Sequence, residues 1–383
     1  MELAGTSIQD IMTVLVFAAG GFLAFRLSRL FGVSRRRGMV LYLWHTLFCF
    51  VFIAYSLDNT SDAMGYYKYS LLEEHQFSFG TDAVFFITAL FSSDLGLSIV
   101  AVFLVYNIIG FVGLLAFDGS LRIATFNAGR DTRFLASLIV FLPSISFWSS
   151  AIGKDAVSFA SVGIALWASL DFRRRSWLMF AAVALMLIVR PHIAVLMVIA
   201  VVASVVLHSH LSVFQRIAIG ALAIGISTLI MLPALELLGL DEGANASSLA
   251  KFVTRQQGHN MQGGGAIDIS TMPLPLQMFT YLFRPLPYEA SGIAGFAASF
   301  DNMILLALFA LGARSFLRLR AVEGNANRAF LWIYSISTWV ALASTSSNLG
   351  ISLRQKWMFV PMLIYLLISI IGSSRLSARN KAR

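Results

Sequence analysis

Long apolar runs separated by short polar clusters recur along this chain of 383 residues. A helix needs about 20 apolar residues to cross a hydrocarbon core about 30 Å thick. Only helices and closed barrels satisfy backbone polar groups in lipid, and barrel strands would alternate polar and apolar positions. The pattern therefore predicts an all-α, polytopic transmembrane helical bundle that forms a single integral membrane domain over residues 1–383.

The lengths of these runs predict about 11 spans, some of them short enough to be re-entrant. We place the spans near residues 11–31, 39–57, 95–117, 134–149, 156–170, 177–190, 192–207, 217–239, 296–313, 329–346 and 357–372. The segments around Ser149 to Asp155 and Arg190 to His192 are alternatively hairpins that stop part-way. Asp82 to Ser93 is a candidate interfacial or re-entrant helix.

Basic clusters predict the orientation, because Lys and Arg accumulate in cytoplasmic loops. One alternating set of connectors holds most of the 28 Lys and Arg residues, which places the N terminus outside and the C terminus in the cytoplasm. Met1 to Arg29 has its acidic residues first and its arginines last, unlike a cleavable signal peptide, so we expect a retained span. The polar stretch 241–291 is then a large extracytoplasmic loop, with short helices such as Leu276 to Phe283.

Composition agrees with a membrane location and narrows the chemistry. Hydrophobic residues make up 58% of the chain and charged residues 12%, against about 25% charged in soluble domains. The net charge of +9 is dispersed between apolar runs, which indicates topogenic charge rather than nucleic-acid binding. The single cysteine, Cys49, has no partner for an intrachain disulfide. No nucleotide-binding loop and no metal-ligand spacing occur, so we expect no cofactor and no tightly bound metal; a loosely held divalent cation stays open.

Two broken segments on the outer side carry ionisable residues. Arg190 and His192 flank a proline, where a guanidinium at a broken helix suits a phosphate and His192 suits acid or base chemistry; the alternative is a hairpin with a snorkelling Arg. Lys154 and Asp155 lie where a helix begins, and free N–H groups there favour anions. Asp155 alternatively only caps that helix.

The first outer loop combines Asp62 with Tyr66 and Tyr67. Aromatic rings stack on sugar faces, and a carboxylate can remove a proton from an attacking hydroxyl. An interfacial aromatic belt is the alternative explanation, although it accounts for the tyrosines and not for Asp62.

The remaining candidates come from later loops, and each alone is a weak signal. Arg255 and His259 share one segment of the large loop, and Arg284 precedes Glu289 in another; such groups bind phosphate and sugar, and His259 is also a candidate catalytic residue. Arg354 precedes the last span and is alternatively an interfacial anchor. We predict that cations from these sequence-distant loops converge on one bilayer-level cleft.

Four short motifs carry a resemblance to a known class of protein. They lie in residues 62–67, 147–155, 281–289 and 354–361. In combination they resemble membrane proteins of bacterial exopolysaccharide and O-antigen clusters, and the chain is similar to polysaccharide (Wzy-type) polymerases and, more distantly, to GT-C glycosyltransferases. The resemblance covers most of the chain as topology, but only these motifs as residues.

The resemblance implies a function on the outer face of the bacterial inner (plasma) membrane. The polymerase pattern implies an undecaprenyl-diphosphate-linked glycan as substrate, bound at the diphosphate by Arg190, Arg255, Arg284 and Arg354. The GT-C pattern implies Asp62 as general base, although here its loop follows the second span rather than the first. Membrane lipids and other polysaccharide-assembly proteins are the expected partners. A GT-C enzyme adding one sugar and a lipid flippase or transporter are the alternative functions.

Overall fold

The computed structural model of the chain describes residues 6–59, 61–72, 76–208, 212, 214–217, 220–221, 225, 246–261, 265–290, 292–317 and 327–381. In these ranges the chain is helical, with an isolated β-bridge between Ala266 and Asn348. The helices are α1 (Ser7–Leu30), α2 (Arg35–Asp58), α3 (Asp62–Ser70), α4 (Thr81–Ala89), α5 (Ile99–Ala124), α6 (Arg130–Val140), α7 (Pro143–Ser149), α8 (Lys154–Ser169), α9 (Phe172–Val189), α10 (Pro191–His208), α11 (Ala246–Asn260), α12 (Leu274–Phe283), α13 (Gly292–Phe316), α14 (Arg328–Thr345), α15 (Leu349–Gln355) and α16 (Val360–Lys381).

Among the described residues, five helical segments are long and apolar enough to cross a membrane. They are Ser7–Leu30, Arg35–Asp58, Ile99–Ala124, Arg130–Ser149 and Gly295–Phe316. A sixth is possible if Leu349–Met358 and Val360–Ser373, which are bent by 63° relative to each other, form one broken span. The all-helical prediction is confirmed for these residues, and the fold is consistent with a multi-pass membrane protein.

The finer topology is not confirmed. Helices occupy most of the predicted spans, but several are too short or too polar to count as spans by themselves. Most of the predicted span 217–239 lies outside the described residues, as does part of the large loop. Helices do form at two predicted short segments, Thr81–Ala89 with its continuation to Asp94, and Leu274–Phe283.

Helices α5 and α8 cross at the centre of the bundle, where glycines allow their backbones to come into contact. A Cβ added to Gly163 would lie 2.3 Å from the carbonyl oxygen of Gly113, and one added to Gly113 would lie 2.7 Å from the Cα of Ala160. Small residues allow such close backbone approach between helices in membranes. The crossing fixes α8, whose first two residues belong to the site described below. By contrast, α1 is peripheral and exposes apolar side chains such as Ile8, Val14 and Phe22.

Polar caps and prolines set where these helices begin and break. Thr6 begins α1 with a capping box to Gln9, and Asn348 begins α15 by accepting hydrogen bonds from the backbone N–H groups of Gly350 and Ile351. Pro191 follows Arg190, whose backbone (φ −146°, ψ 74°) lies outside the helical region that the residue before a proline avoids. The helix therefore ends at Val189, and Arg190 lies at the break between α9 and α10.

Candidate functional site

Helix α3 brings Asp62 and Tyr66 to the end of α2. Tyr66 is buried and packs edge-on against Phe85, with ring centroids 5.2 Å apart. Burial raises the pKa of its phenol to about 12, and the nearby carboxylates of Asp62 and Asp155 act in the same direction. Tyr66 therefore stays a neutral ring and hydroxyl at physiological pH.

Gly153 turns the chain into α8 and so places Lys154 and Asp155. Its φ of 148° is a conformation that side chains disfavour, and a Cβ there would lie 3.5 Å from the ring of Tyr66. Lys154 and Asp155 are therefore delivered together from the first turn of α8.

Two arginines from distant parts of the chain converge on Asp155. Arg190 donates to one carboxylate oxygen at 2.7 Å, and the Nε of Arg354 lies 3.4 Å from the other oxygen. Arg354 also donates to Asp62 at 2.8 Å, a contact that joins residues 292 positions apart. Charge pairs thus connect the break between α9 and α10, the start of α8, α3 and α15.

Lys154 lies in the same group but forms no ion pair within the described structure. Its ammonium donates to the hydroxyl of Thr81 at 2.7 Å. Burial, with the positive charge of Arg190 as the second cause, lowers its pKa to about 8. Because a bound anion would favour the charged ammonium and offset the repulsion from Arg190, Lys154 is suited to meet a negatively charged group.

These side chains line a cavity of about 610 Å³. The lining residues are Phe52, Tyr55, Ser61, Asp62, Ala63, Tyr66, Trp148, Ala151, Ile152, Gly153, Lys154, Asp155, Arg190, Asn348, Gly350, Ile351, Arg354 and Gln355. Three cations and two carboxylates leave it one positive charge in excess. Among the described residues, the buried Oγ of Ser61 and Nε of Arg190 have no hydrogen-bond partner, so the cavity retains free polar groups.

Of the predicted site residues, Asp62, Tyr66, Lys154, Asp155, Arg190 and Arg354 line this cavity. Tyr67 does not, because its side chain turns into the protein, where its hydroxyl donates to the carbonyl of Leu97 at 3.2 Å. His192 is exposed on the first turn of α10 and is also absent from the lining. The acid or base role of His192 stays a prediction.

Arg284 and Glu289 do not reach the cavity, which corrects the expectation that cations from all these loops converge. Both oxygens of Glu289 accept from Arg284, and one also accepts from the backbone N–H of Leu286 at 2.8 Å. These bonds to Arg284 lower the pKa of Glu289. The pair is satisfied within its own loop, so neither charge needs a partner from elsewhere.

Arg255 and His259 are likewise exposed on α11 and do not line the cavity. Their helix is held instead by Gln257 and Asn260, whose amides donate to the carbonyls of Ser344 and Thr345 at 2.8 and 2.9 Å. The polar residues that anchor α11 are therefore different from those that sequence reasoning selected.

A buried polar cluster next to the site includes Asp301 and Asn302, which sequence reasoning did not single out. Lys356, two residues after Arg354, is fully buried and donates to the side-chain oxygen of Asn302 at 2.5 Å. The neighbouring Asp301 is also fully buried and accepts from the backbone N–H of Ser144 at 2.9 Å. Asp301 and Asn302, an acid beside an amide inside the otherwise apolar run 296–313, were the signal in the sequence that indicates this cluster.

In the part of the chain that the structure describes, no group of three or more His, Cys, Asp or Glu side chains is arranged to hold a metal ion. Comparison of the chain with protein-family models, with curated proteins and with solved structures gave no match.

Proposed function

We propose that this protein transfers or polymerises polyprenyl-(di)phosphate-linked glycans on the extracytoplasmic face of the bacterial plasma membrane, in exopolysaccharide or O-antigen synthesis. The observation that carries the proposal is the cavity in which Lys154, Arg190 and Arg354 meet beside Asp62. It combines donors for a phosphate with a carboxylate for a hydroxyl, which are the two groups that glycosyl transfer needs.

The cations serve the leaving group. When the bond between the anomeric carbon and the phosphate oxygen breaks, its electron pair stays on the phosphate, and negative charge grows there. Guanidinium groups held in place by Asp155 stabilise this charge without having to reorganise, because both arginines already have fixed positions. The excess positive charge of the cavity acts in the same direction.

Asp62 is the group best placed to activate the acceptor. Its side chain is 62% exposed, and one of its oxygens is held by Arg354. The acceptor hydroxyl attacks the anomeric carbon, the new glycosidic bond forms, and the hydroxyl proton passes to the carboxylate of Asp62. The rings of Tyr55, Tyr66 and Trp148 in the cavity wall offer faces on which sugars stack.

The alternative functions relate to the structure in different ways. Transfer of a single sugar by a GT-C-type enzyme uses the same cavity chemistry, so it differs only in the acceptor. A flippase or transporter is favoured by Asp301 and Lys356, since fully buried ionisable residues inside apolar segments often mark transport pathways.

The test uses a strain that lacks the chain and makes its glycan only when the chain is supplied. We expect Asp62→Asn and Arg190→Gln to abolish polymer while the protein stays in the membrane, and single lipid-linked units to accumulate on the outer face. Units that accumulate on the inner face would instead identify a flippase, and units that lack one sugar would identify the single-sugar transferase.

Arg255→Gln is the matched control, because it removes an exposed guanidinium on α11 outside the cavity. It should leave polymer length unchanged. Normal polymer in both Asp62→Asn and Arg190→Gln would reject the proposed site.

A further inference from the structure

A second charged cluster lies at the opposite end of α2 and α5. Its centre is Asp118, whose side chain is only 2% exposed. Arg37 donates to both carboxylate oxygens through Nε, at 3.0 and 2.9 Å, and a further nitrogen donates to Oδ1 at 2.6 Å. Arg122, one turn after Asp118, lies 3.3 Å from Oδ2. One carboxylate thus serves two guanidinium groups.

A third guanidinium, that of Arg133 on α6, donates to the carbonyl of Ala128 at 2.9 Å. It lines the same cavity of about 180 Å³ as the first two arginines and Asp118. The remaining lining residues are Leu121, Thr125, Ala136 and Ser137. The lining therefore carries two positive charges in excess. One water needs about 10–15 Å³ of such a cavity, so the space has room for several waters and hence for a phosphate group.

Exposed apolar side chains lie on the chain segments that carry Arg122 and Arg133. Phe134 and Leu138, on the same helix as Arg133, are 69% and 38% exposed. Ile123 and Phe126, which follow Arg122 at the end of α5, are 46% and 81% exposed. A basic pocket beside an exposed apolar surface matches both parts of a phospholipid, because the headgroup needs cations and the acyl chains need apolar contacts.

The distance between the two charged sites supports a lipid in a particular leaflet. Helix α2 has 24 residues, so at about 1.5 Å per residue it is long enough to separate its two ends by a hydrocarbon core of about 30 Å. Arg37 lies in the first turn of α2, whereas Asp62 follows its end. The two cavities therefore lie at the levels of opposite leaflets.

We infer that the cavity of Arg37, Arg122 and Arg133 binds the phosphate of an anionic phospholipid in the leaflet opposite the Asp62 cavity. Arg37 is fixed by Asp118, while Arg122 and Arg133 keep donors for the phosphate oxygens. This binding site is independent of the proposed glycan chemistry and holds whether or not that proposal is correct.

Native mass spectrometry of the full chain in mixed micelles tests the inference with phosphatidylglycerol and phosphatidylcholine as probes. We expect the protein to retain phosphatidylglycerol preferentially, and the double variant Arg122→Gln/Arg133→Gln to weaken this retention about tenfold, because charge-assisted hydrogen bonds are lost. The Arg37–Asp118 pair remains in this variant, so the carboxylate stays paired and the protein should stay folded, which a cooperative thermal transition checks.

The matched control is Arg173→Gln/Arg174→Gln, which removes two exposed arginines that do not line the cavity. It should retain phosphatidylglycerol as the parent does. An equal loss in both double variants, or no preference for the anionic lipid in the parent, would overturn the inference. Soluble glycerol 3-phosphate is the third probe; if it competes as well as the lipid does, the site is for free phosphate and the lipid assignment falls.

Discussion

At the scale of single residues, Asp155 and Asp62 have the same chemistry but different surroundings. Asp155 holds Arg190, whose side chain is 8% exposed, and is itself 19% exposed; Asp62 is 62% exposed. Removing one partner of a buried ion pair leaves a charge unpaired in a poorly solvated position, whereas solvent screens an exposed pair. The two carboxylates should therefore differ in what they contribute to stability.

We predict that Asp155→Asn lowers the free energy of unfolding by about 3 kcal/mol. Asp62→Asn should lower it by at most about 1 kcal/mol. Unfolding by SDS titration in mixed micelles measures both values. Equal effects would mean that Asp155 does not hold the arginines in the way described.

Lys154 makes ligand binding depend on pH in a defined direction. Its lowered pKa of about 8 means that the free protein keeps the ammonium charge at pH 7 and loses it as the pH rises through 8. Affinity for an anion should fall over the same range. From pH 7 to 9 the protonated fraction falls about tenfold, and the affinity for inorganic pyrophosphate should fall by a similar factor.

Lys154→Arg is the control for this prediction, because a guanidinium stays charged throughout the range. Pyrophosphate itself also ionises over this range, but its ionisation affects calorimetric titrations of both proteins equally. The difference between the two pH profiles therefore reports on Lys154. The same pH profile in the parent and in Lys154→Arg would show that Lys154 does not face the bound anion.

At the scale of elements, most helix positions could be predicted from the sequence because apolar runs and their polar ends are local signals. The breaks at Pro143 and Pro191 follow from proline alone. The pairs that charged residues form could not be predicted from local sequence in the same way. Arg284 has a partner five residues later, and nothing local distinguishes it from Arg354, whose partner Asp62 is 292 positions away.

The crossing of α5 and α8 should tolerate no side chain at Gly163. The added methyl group would meet the backbone of Gly113, which cannot move aside as a side chain can. We expect Gly163→Ala to cost about 1–3 kcal/mol and to lower the thermal midpoint. Gly129→Ala is the control, since a Cβ there meets nothing within 4 Å and its φ is −64°. Similar midpoints for the two variants would contradict the close crossing.

At the scale of the whole molecule, both charged cavities contact α2, one at each end. The distribution of Lys and Arg predicts that the Asp62 cavity faces outward and the Arg37 cavity faces the cytoplasm. Donor glycan and anionic phospholipid would then approach from different leaflets. A single experiment that measures which side of the membrane each site faces can therefore locate both.

Cysteine labelling makes that measurement, because Cys49 is the only cysteine of the chain and is fully buried. In a Cys49→Ala background, Leu72→Cys reports on the Asp62 side and Phe126→Cys on the Arg122 side; the original side chains are 72% and 81% exposed. A membrane-impermeant maleimide added to intact spheroplasts should label Leu72→Cys and spare Phe126→Cys until the membrane is opened. The parent chain should stay unlabelled in both conditions. Labelling of both positions from outside would contradict a membrane-spanning α2. Labelling of Phe126→Cys alone would reverse the orientation and place the Asp62 cavity in the cytoplasm. The proposed polymerisation of outward-facing glycans could not occur there.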